Sequence, residues 1–281
     1  MSIWGDFVNL ARQGVGSLTE EWSFLRSFYL CRRKPIIEYQ MGKVGSRSTA
    51  DSLKEFGLDS VFHVHRMNPD NIGKVRKEYL DHHLWPPNER IGRRLYRHVV
   101  ARGRKAKFIT LVREAVGRNM SAFYNSFRRF TGVEYDKAAF ETEELTQIFL
   151  RKYNHSVPLT WFDLEMKQTL GIDVYEHPFP QERGYLTIRK GNFELLVLKL
   201  EIDDFSKEQA IGEFLNIDNF KLLKKNVGET RNYGESYRRF IQNVRLPLSY
   251  VEEMCHSKYM RHFYGADEIN RFRDRWLRTV S

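Results

Sequence analysis

Two cysteines, Cys31 and Cys255, are too few for a disulfide framework, so the fold must rest on an apolar core. Both read as reduced thiols; Arg32 and Arg33 beside Cys31 would lower its pKa, but a reactive role is the weaker reading. Eight prolines and 18 glycines in 281 residues are too few for a collagen-like or low-complexity chain. No run of 18 apolar residues occurs, so no spanning helix is predicted. The N-terminus lacks a basic region followed by an apolar one and does not read as a secretory signal. Between residues 90 and 107 acidic residues are missing altogether. That stretch holds eight bases: Arg90, Arg93, Arg94, Arg97, Arg102, Arg104, Lys105 and Lys107.

What is present suits an ordinary globular protein. Hydrophobic residues make up 41% and aromatics 14%, enough for a sizeable core. The net charge is +10, which favours anionic partners such as phosphorylated cofactors, acidic glycans or anionic lipid. Residues 4–30 carry a helical apolar pattern, followed by Arg32-Arg33-Lys34. A helix packed on the core is the simpler reading, and peripheral membrane contact is the other.

Short apolar runs at 35–40, 60–65 and 107–112 predict strands. Helices are predicted at 48–56, over most of 69–105 with a break at Pro86-Pro87, and at 115–130. Ser48 and Asp51 have capping-box spacing. Residues 142–170 read as two helices split near Pro158. Residues 185–189 and 193–200 flank Lys190-Gly191-Asn192 as a hairpin. The remainder reads as helical, at about 206–215, 234–243, 248–256 and 266–278. Strands alternating with helices through residue 130 predict an α/β fold with a mostly parallel sheet. The chain reads as one domain, 1–281: a helical segment 1–34, a core 35–130 and an acceptor-side, largely helical part 131–281.

Two motifs carry chemistry. Residues 41–49, Met-Gly-Lys-Val-Gly-Ser-Arg-Ser-Thr, sit between a predicted strand and a predicted helix. Such a loop aims several backbone N–H groups at one point, where the helix dipole adds positive potential. Gly42 and Gly45 let the backbone approach an oxyanion, Lys43 supplies charge, and Ser46, Ser48 and Thr49 supply hydroxyls. It is not a Walker A loop, because Lys43 precedes Gly45 and no Ser or Thr follows a Gly-Lys pair. The second motif begins at Arg113, at a strand end, with Ser121 eight residues later. Arginine can grip a phosphate through two N–H groups while a serine adds one bond.

Together these motifs resemble the sulfotransferase family. Its first loop runs Pro-Lys-x-Gly-Thr-Thr/Ser, matched here from Lys43 to Ser48 with Gly42 for proline. Its second motif runs Arg-Asp-Pro-x-x-Arg-x-x-Ser-x-Tyr/Phe, matched from Arg113 to Phe123 with Glu114 for Asp and Ala115 for Pro. The chain also resembles the bacterial branch described as capsular polysaccharide synthesis proteins, in Ser257–Tyr264 and Glu268–Trp276. The resemblance implies a P-loop-like sulfotransferase fold and the donor 3′-phosphoadenosine 5′-phosphosulfate (PAPS), giving 3′,5′-ADP as product and needing no metal. It assigns Gly42, Lys43, Val44, Gly45, Ser46, Arg47, Ser48 and Thr49 to the 5′-phosphosulfate. Arg113 and Ser121 would take the 3′-phosphate. Arg231, within Lys225–Tyr233, is the candidate on the adenine side.

Sulfuryl transfer to a hydroxyl needs a proton acceptor, and imidazole is suited to it. His63 and His65 end a predicted strand, and residues two apart share a face. The glycosaminoglycan 2-O-sulfotransferases of the Golgi carry a similar His-x-His, which assigns His65 as base and His63 as support. Arg66 is a candidate to hold an acidic acceptor. A metal site built from His63, His65, His82 and His83 is disfavoured, because no Cys, Asp or Glu shows ligand spacing to them. The predicted acceptor is a hydroxyl of a saccharide, lipid or small metabolite. The 90–107 stretch is a candidate surface for an acidic glycan or anionic lipid, though a solvated helix face explains it too. A P-loop-like kinase is opposed by the missing Walker pattern. A non-catalytic protein binding nucleic acid or membrane leaves both motifs unexplained. Absence of an anchor predicts a cytoplasmic bacterial enzyme, with a membrane-peripheral one as the alternative, that does not act on nucleic acid.

Overall fold

The computed structural model describes residues 34–58, 60–81, 84–133, 140–223 and 234–277, leaving aside the side chains of residues 46 and 47. The helix expected at 4–30, Cys31, the His82-His83 pair and Arg231 with its segment lie outside the described residues, so the expectations placed on them stay there.

Five strands form one sheet in the order β2-β1-β3-β5-β4. They are β1 (Ile36–Tyr39), β2 (Val61–Val64), β3 (Ala106–Val112), β4 (Tyr185–Lys190) and β5 (Phe193–Lys199). β1 pairs in parallel with β2 and β3, and β3 in parallel with β5; only the edge strand β4 runs antiparallel. The chain is thus α/β with a mostly parallel sheet. β1 and β3 are near-continuous apolar runs because both faces of a parallel sheet are covered. β4 and β5 join through a tight turn in which Gly191 adopts φ 57°.

α1 (Ser46–Glu55) follows β1. α2 (Pro69–Asp81), α3 (Arg90–Leu95) and a π-helical turn (Tyr96–Val100) lie between β2 and β3. The break expected at Pro86-Pro87 within 69–105 is present and extends over 84–89. After β3 come α4 (Ala115–Asn125), α5 (Phe127–Thr131), α6 (Thr142–Lys152) and α7 (Val157–Trp161), which runs on as a π-helix over Phe162–Leu170. Pro158 stands in the first turn of α7, where its missing N–H costs nothing, so the break falls at 153–156, ahead of it. α8 (Asp204–Leu215), α9 (Gly234–Asn243), α10 (Leu248–Cys255), α11 (Lys258–Phe263) and α12 (Ala266–Leu277) complete the order.

The two faces of the sheet are covered by different parts of the chain. On one face the Lys107 ammonium reaches α8, where it lies 4.4 Å from the Phe214 ring centre and meets the Phe214 carbonyl. On the other, the Tyr39 ring lies 6.4 Å from Phe108 and 5.3 Å from Trp161 of α7. Lys199 is buried there against Glu268 of α12, at 2.7 Å. Among the described residues no helix is long and apolar enough to cross a membrane.

α1 starts earlier than its sequence suggests. Its N-cap is Gly45 at φ 81°, and the expected Ser48–Asp51 capping box does not form. Ser48 is instead inside the helix, its hydroxyl donating to the Leu223 carbonyl at 3.0 Å. A side chain on Gly45 would begin 2.5 Å from Leu200 Cδ1, beyond β5. Left-handed φ costs an L-residue about 1–2 kcal/mol and overpacking about 1–3 more. Gly45→Ala is therefore expected to lower unfolding free energy by about 2–5 kcal/mol, read as a lower urea midpoint at unchanged slope. An unchanged midpoint would mean that the loop relaxes freely.

Candidate functional site

Both motifs reach the same edge of the sheet. β1 ends at Gln40–Gly45, β2 at His65–Met67 and β3 at Arg113–Glu114, all at the carboxyl ends of parallel strands. α1 follows β1, while α4 follows β3 and packs against α7 and α10 on the Tyr39 side. Crevices for ligands open where helices leave adjacent strands toward opposite faces.

The loop is held by its carbonyls. Arg118 Nε donates to the Gly42 carbonyl at 3.0 Å, and Arg113 Nη1 donates to the Lys43 carbonyl at 3.1 Å. In a trans peptide the N–H points opposite the C=O. The amides of Lys43 and Val44 therefore face away from the two arginines, at the head of α1. Lys43 has φ 74°, and its ammonium donates to Asn125 Oδ1 of α4 at 3.2 Å. Val44 and Thr49 are buried.

Arg118 was not singled out from the sequence as a site residue, although it is the second arginine of the Arg113 motif. It is 6% exposed and also donates to the Tyr153 hydroxyl at 2.7 Å. Glu114 caps α4 by accepting from the Gly117 amide at 2.9 Å, and both its oxygens lie 3.3 Å from Trp276 Nε1. The extra methylene relative to aspartate thus sits at the helix cap against α12. Arg113 itself is clamped at its backbone: the Tyr259 hydroxyl donates to its carbonyl at 2.8 Å and accepts from its amide at 3.1 Å.

Arg113 and Ser121 are brought together by a residue that the motifs do not contain. The Tyr237 hydroxyl of α9 lies close to both side chains; burial raises its pKa, and the Arg113 charge opposes that rise. Its ring lies 5.1 Å from Tyr124 of α4. No sequence signal marks Tyr237, because α9 is more than a hundred residues from the strand it serves.

His63 and His65 lie together as their spacing predicts, ring centres 4.7 Å apart and edge to face. His65 Nδ1 is 3.0 Å from the Gln40 carbonyl. A carbonyl can only accept, so Nδ1 carries the proton and Nε2 has the free lone pair. A side chain on Gly42 would begin 3.7 Å from that Nε2 and 3.8 Å from Cε1, so Nε2 lies at the edge of the ring that borders the loop. Burial holds the His65 pKa below its ordinary 6.5, with Arg66 and Arg118 adding to that and the Gln40 and Glu89 contacts opposing it. The ring is neutral at pH 7. Gln40 also accepts from the Leu111 amide through Oε1, tying β1 to β3.

The segment after His65 is braced from α7. Trp161 Nε1 donates to the His65 carbonyl at 3.1 Å. One turn later, the buried Glu165 carboxylate accepts from the Met67 and Asn68 amides, each at 3.0 Å, and from Tyr39 and Asn71. Arg66 pairs with Glu89 at 2.8 Å. Beneath the loop, Glu38 is completely buried with neither oxygen hydrogen-bonded, and burial pushes its pKa well above the usual carboxylate value. Among the described residues no group of three or more His, Cys, Asp or Glu could hold a metal. A surface hollow of about 480 Å³ beside α8, lined by Phe205, Gln209 and Phe220, contains no side chain of either motif.

A family model described as "Putative capsular polysaccharide synthesis protein" matches residues 135–265. Neither a curated protein nor a solved structure matches the chain. The matched segment contains Tyr153, Trp161, Glu165, Tyr237 and Tyr259, which brace the site. The anion loop, His65 and Arg113 come from the part before it.

Proposed function

We propose that this protein is a sulfotransferase with a P-loop-like sulfotransferase fold, moving a sulfuryl group from PAPS to a hydroxyl, with His65 as base. The observation that carries this reading is the imidazole beside the loop: its tautomer is set by the Gln40 carbonyl, and its unprotonated Nε2 borders Gly42. A fold needing only an ordinary strand-to-helix turn has no use for a half-buried, neutral histidine beside that turn.

The residues present suit the donor. The gap at Gly42 between loop and imidazole is one that a side chain would fill, and Gly45 takes a conformation suited to glycine. PAPS, when bound, supplies the sulfuryl group and leaves as 3′,5′-ADP. The Lys43 and Val44 amides and the head of α1 meet the 5′-phosphosulfate charge. Lys43 turns from Asn125 to the charge that grows on the bridging oxygen as the acceptor oxygen bonds to sulfur. Nε2 of His65 takes the proton that the acceptor hydroxyl loses, and His63 packs on the ring that carries it. Arg113 and Ser121 grip the 3′-phosphate, with the Tyr237 hydroxyl as a third partner. The family description matching 135–265 supports a saccharide as the acceptor.

Calorimetric titration with 3′,5′-ADP, 5′-AMP and ATP tests the donor assignment. Wild type is expected to prefer 3′,5′-ADP, and Arg113→Ala to weaken it by about 10- to 100-fold, the loss of a charged hydrogen bond, and to weaken 5′-AMP by less, since 5′-AMP loses only the bracing of the loop at the Lys43 carbonyl. A preference for ATP would replace the reading with a kinase. No nucleotide binding would leave a non-catalytic basic protein.

A further inference from the structure

We propose that the ridge from Trp85 to Arg97 is the acceptor-binding surface and that it takes an acidic saccharide chain; this rests on the sulfuryl-transfer reading above. The ridge starts at the base. Gly92 of α3 lies so close to the carbonyl of Arg66 that any side chain there would begin 2.1 Å from that oxygen. Arg66 is the residue after His65, and its pairing with Glu89 neutralises the one carboxylate at the head of α3.

From there the ridge is cationic. Arg90, Arg93 and Arg97 are all exposed, and their spacing of three and four places them in one row along the helix. At 1.5 Å per residue the row spans about 10 Å, the scale of a few linked sugar units. Like charges so arranged destabilise a helix, so the row is not explained by packing. Behind it, burial and the positive charges of Arg102, Arg97, Arg104 and Arg94 hold the His98 pKa below its ordinary value. Guanidinium groups bind carboxylates through paired N–H bonds.

One aromatic completes the surface. Trp85 is 82% exposed and is followed by Pro86 and Pro87, whose fixed φ stiffens the approach to α3. A flat ring held in solvent offers a face to sugar C–H groups. Leu80, 51% exposed, is the one other exposed large apolar side chain in this stretch among the described residues, too little apolar surface for a lipid bilayer. Nucleic-acid grooves combine the charge with a series of stacking aromatics, which the ridge lacks.

The test uses the full chain, sodium alginate as an acidic polysaccharide and dextran as a neutral one. Wild type should bind alginate and not dextran. The double variant Arg93→Glu/Arg97→Glu should weaken alginate binding about 10-fold or more and flatten its salt dependence, and Trp85→Ala should weaken it several-fold. All three proteins should bind 3′,5′-ADP alike, which also shows that the variants are folded. Equal binding of alginate by the double variant would overturn the proposal, as would tighter binding of duplex DNA or phosphatidylserine vesicles than of alginate. Binding of 3′,5′-ADP without alginate removes the ridge and leaves the donor reading. Binding of alginate without 3′,5′-ADP removes the donor reading, and with it the ridge as an acceptor surface.

Discussion

Replacing His65 with alanine is expected to lower turnover by about 10²–10⁴-fold, the range for loss of a general base, while affinity for 3′,5′-ADP stays within about two-fold of wild type. The separation follows from position. Nε2 borders the loop at Gly42, whereas the hydrogen bonds that hold the loop come from Arg113 and Arg118. His65→Asn should be equally slow, because an amide can replace the Nδ1 bond to Gln40 but cannot take a proton. The pH profile supplies a second readout. Burial depresses the His65 pKa, so the acid limb of kcat/KM should fall below pH 6.5. The same shift sets a sign for stability. The unfolded state binds the proton near pH 6.5 and the folded state binds it only at lower pH, so His65 takes stability away as pH falls below about 6.5 and takes none above it. An acid limb above pH 7, or near-normal turnover in the alanine variant, would remove His65 as the base.

Glu165→Ala should be the most destabilising single change in the molecule outside the aromatic core. The carboxylate accepts from two backbone amides, Met67 and Asn68, and from the side chains of Tyr39 and Asn71. Each buried donor left without a partner costs about 1–3 kcal/mol. Three of these donors, the Tyr39 hydroxyl and the Met67 and Asn68 amides, are buried, so the total is about 3–9 kcal/mol, comparable with the whole stability of many domains. A soluble protein with a denaturation midpoint near wild type would show that the β2 exit is held by other contacts. Glu165→Gln keeps one acceptor oxygen and the shape of the side chain, so it should fold. Its effect should then appear in kcat, with 3′,5′-ADP affinity retained, because Glu165 and Trp161 together hold the backbone on both sides of Arg66 and so set the approach of His65 to the loop. An equal loss of nucleotide affinity would instead make Glu165 a general structural support.

The parts legible in the sequence are those written in short-range patterns. The apolar runs at 35–40, 60–65 and 107–112 are strands because their neighbours on both faces are apolar, and that requirement shows in the residues themselves. The hairpin around Gly191 was legible for the same reason. His63 and His65 could be placed together because a strand repeats every two residues. The start of α1 was misread because Ser48 and Asp51 mimic a cap, while the actual cap, Gly45, depends on a left-handed turn and on Leu200 pressing from another strand. The break at Pro86-Pro87 was legible too, because prolines impose it, though its extent over 84–89 is not set by local sequence.

The residues alone determined the order of strands and helices, the position of a glycine-bearing loop between the first of them, and the pairing of two histidines at the end of the second. Periodicity and glycine placement act over a few residues, so they can be read without a fold. Tertiary structure decided everything that depends on chain segments distant in sequence. It set the tautomer of His65 through Gln40, the bracing of the loop by Arg118, and the partnership of Tyr237 with Arg113 and Ser121. It also clamped Arg113 with Tyr259, 146 residues away. Hydrogen bonds between such distant residues leave no periodic trace, because each needs only one suitable group at one point in space.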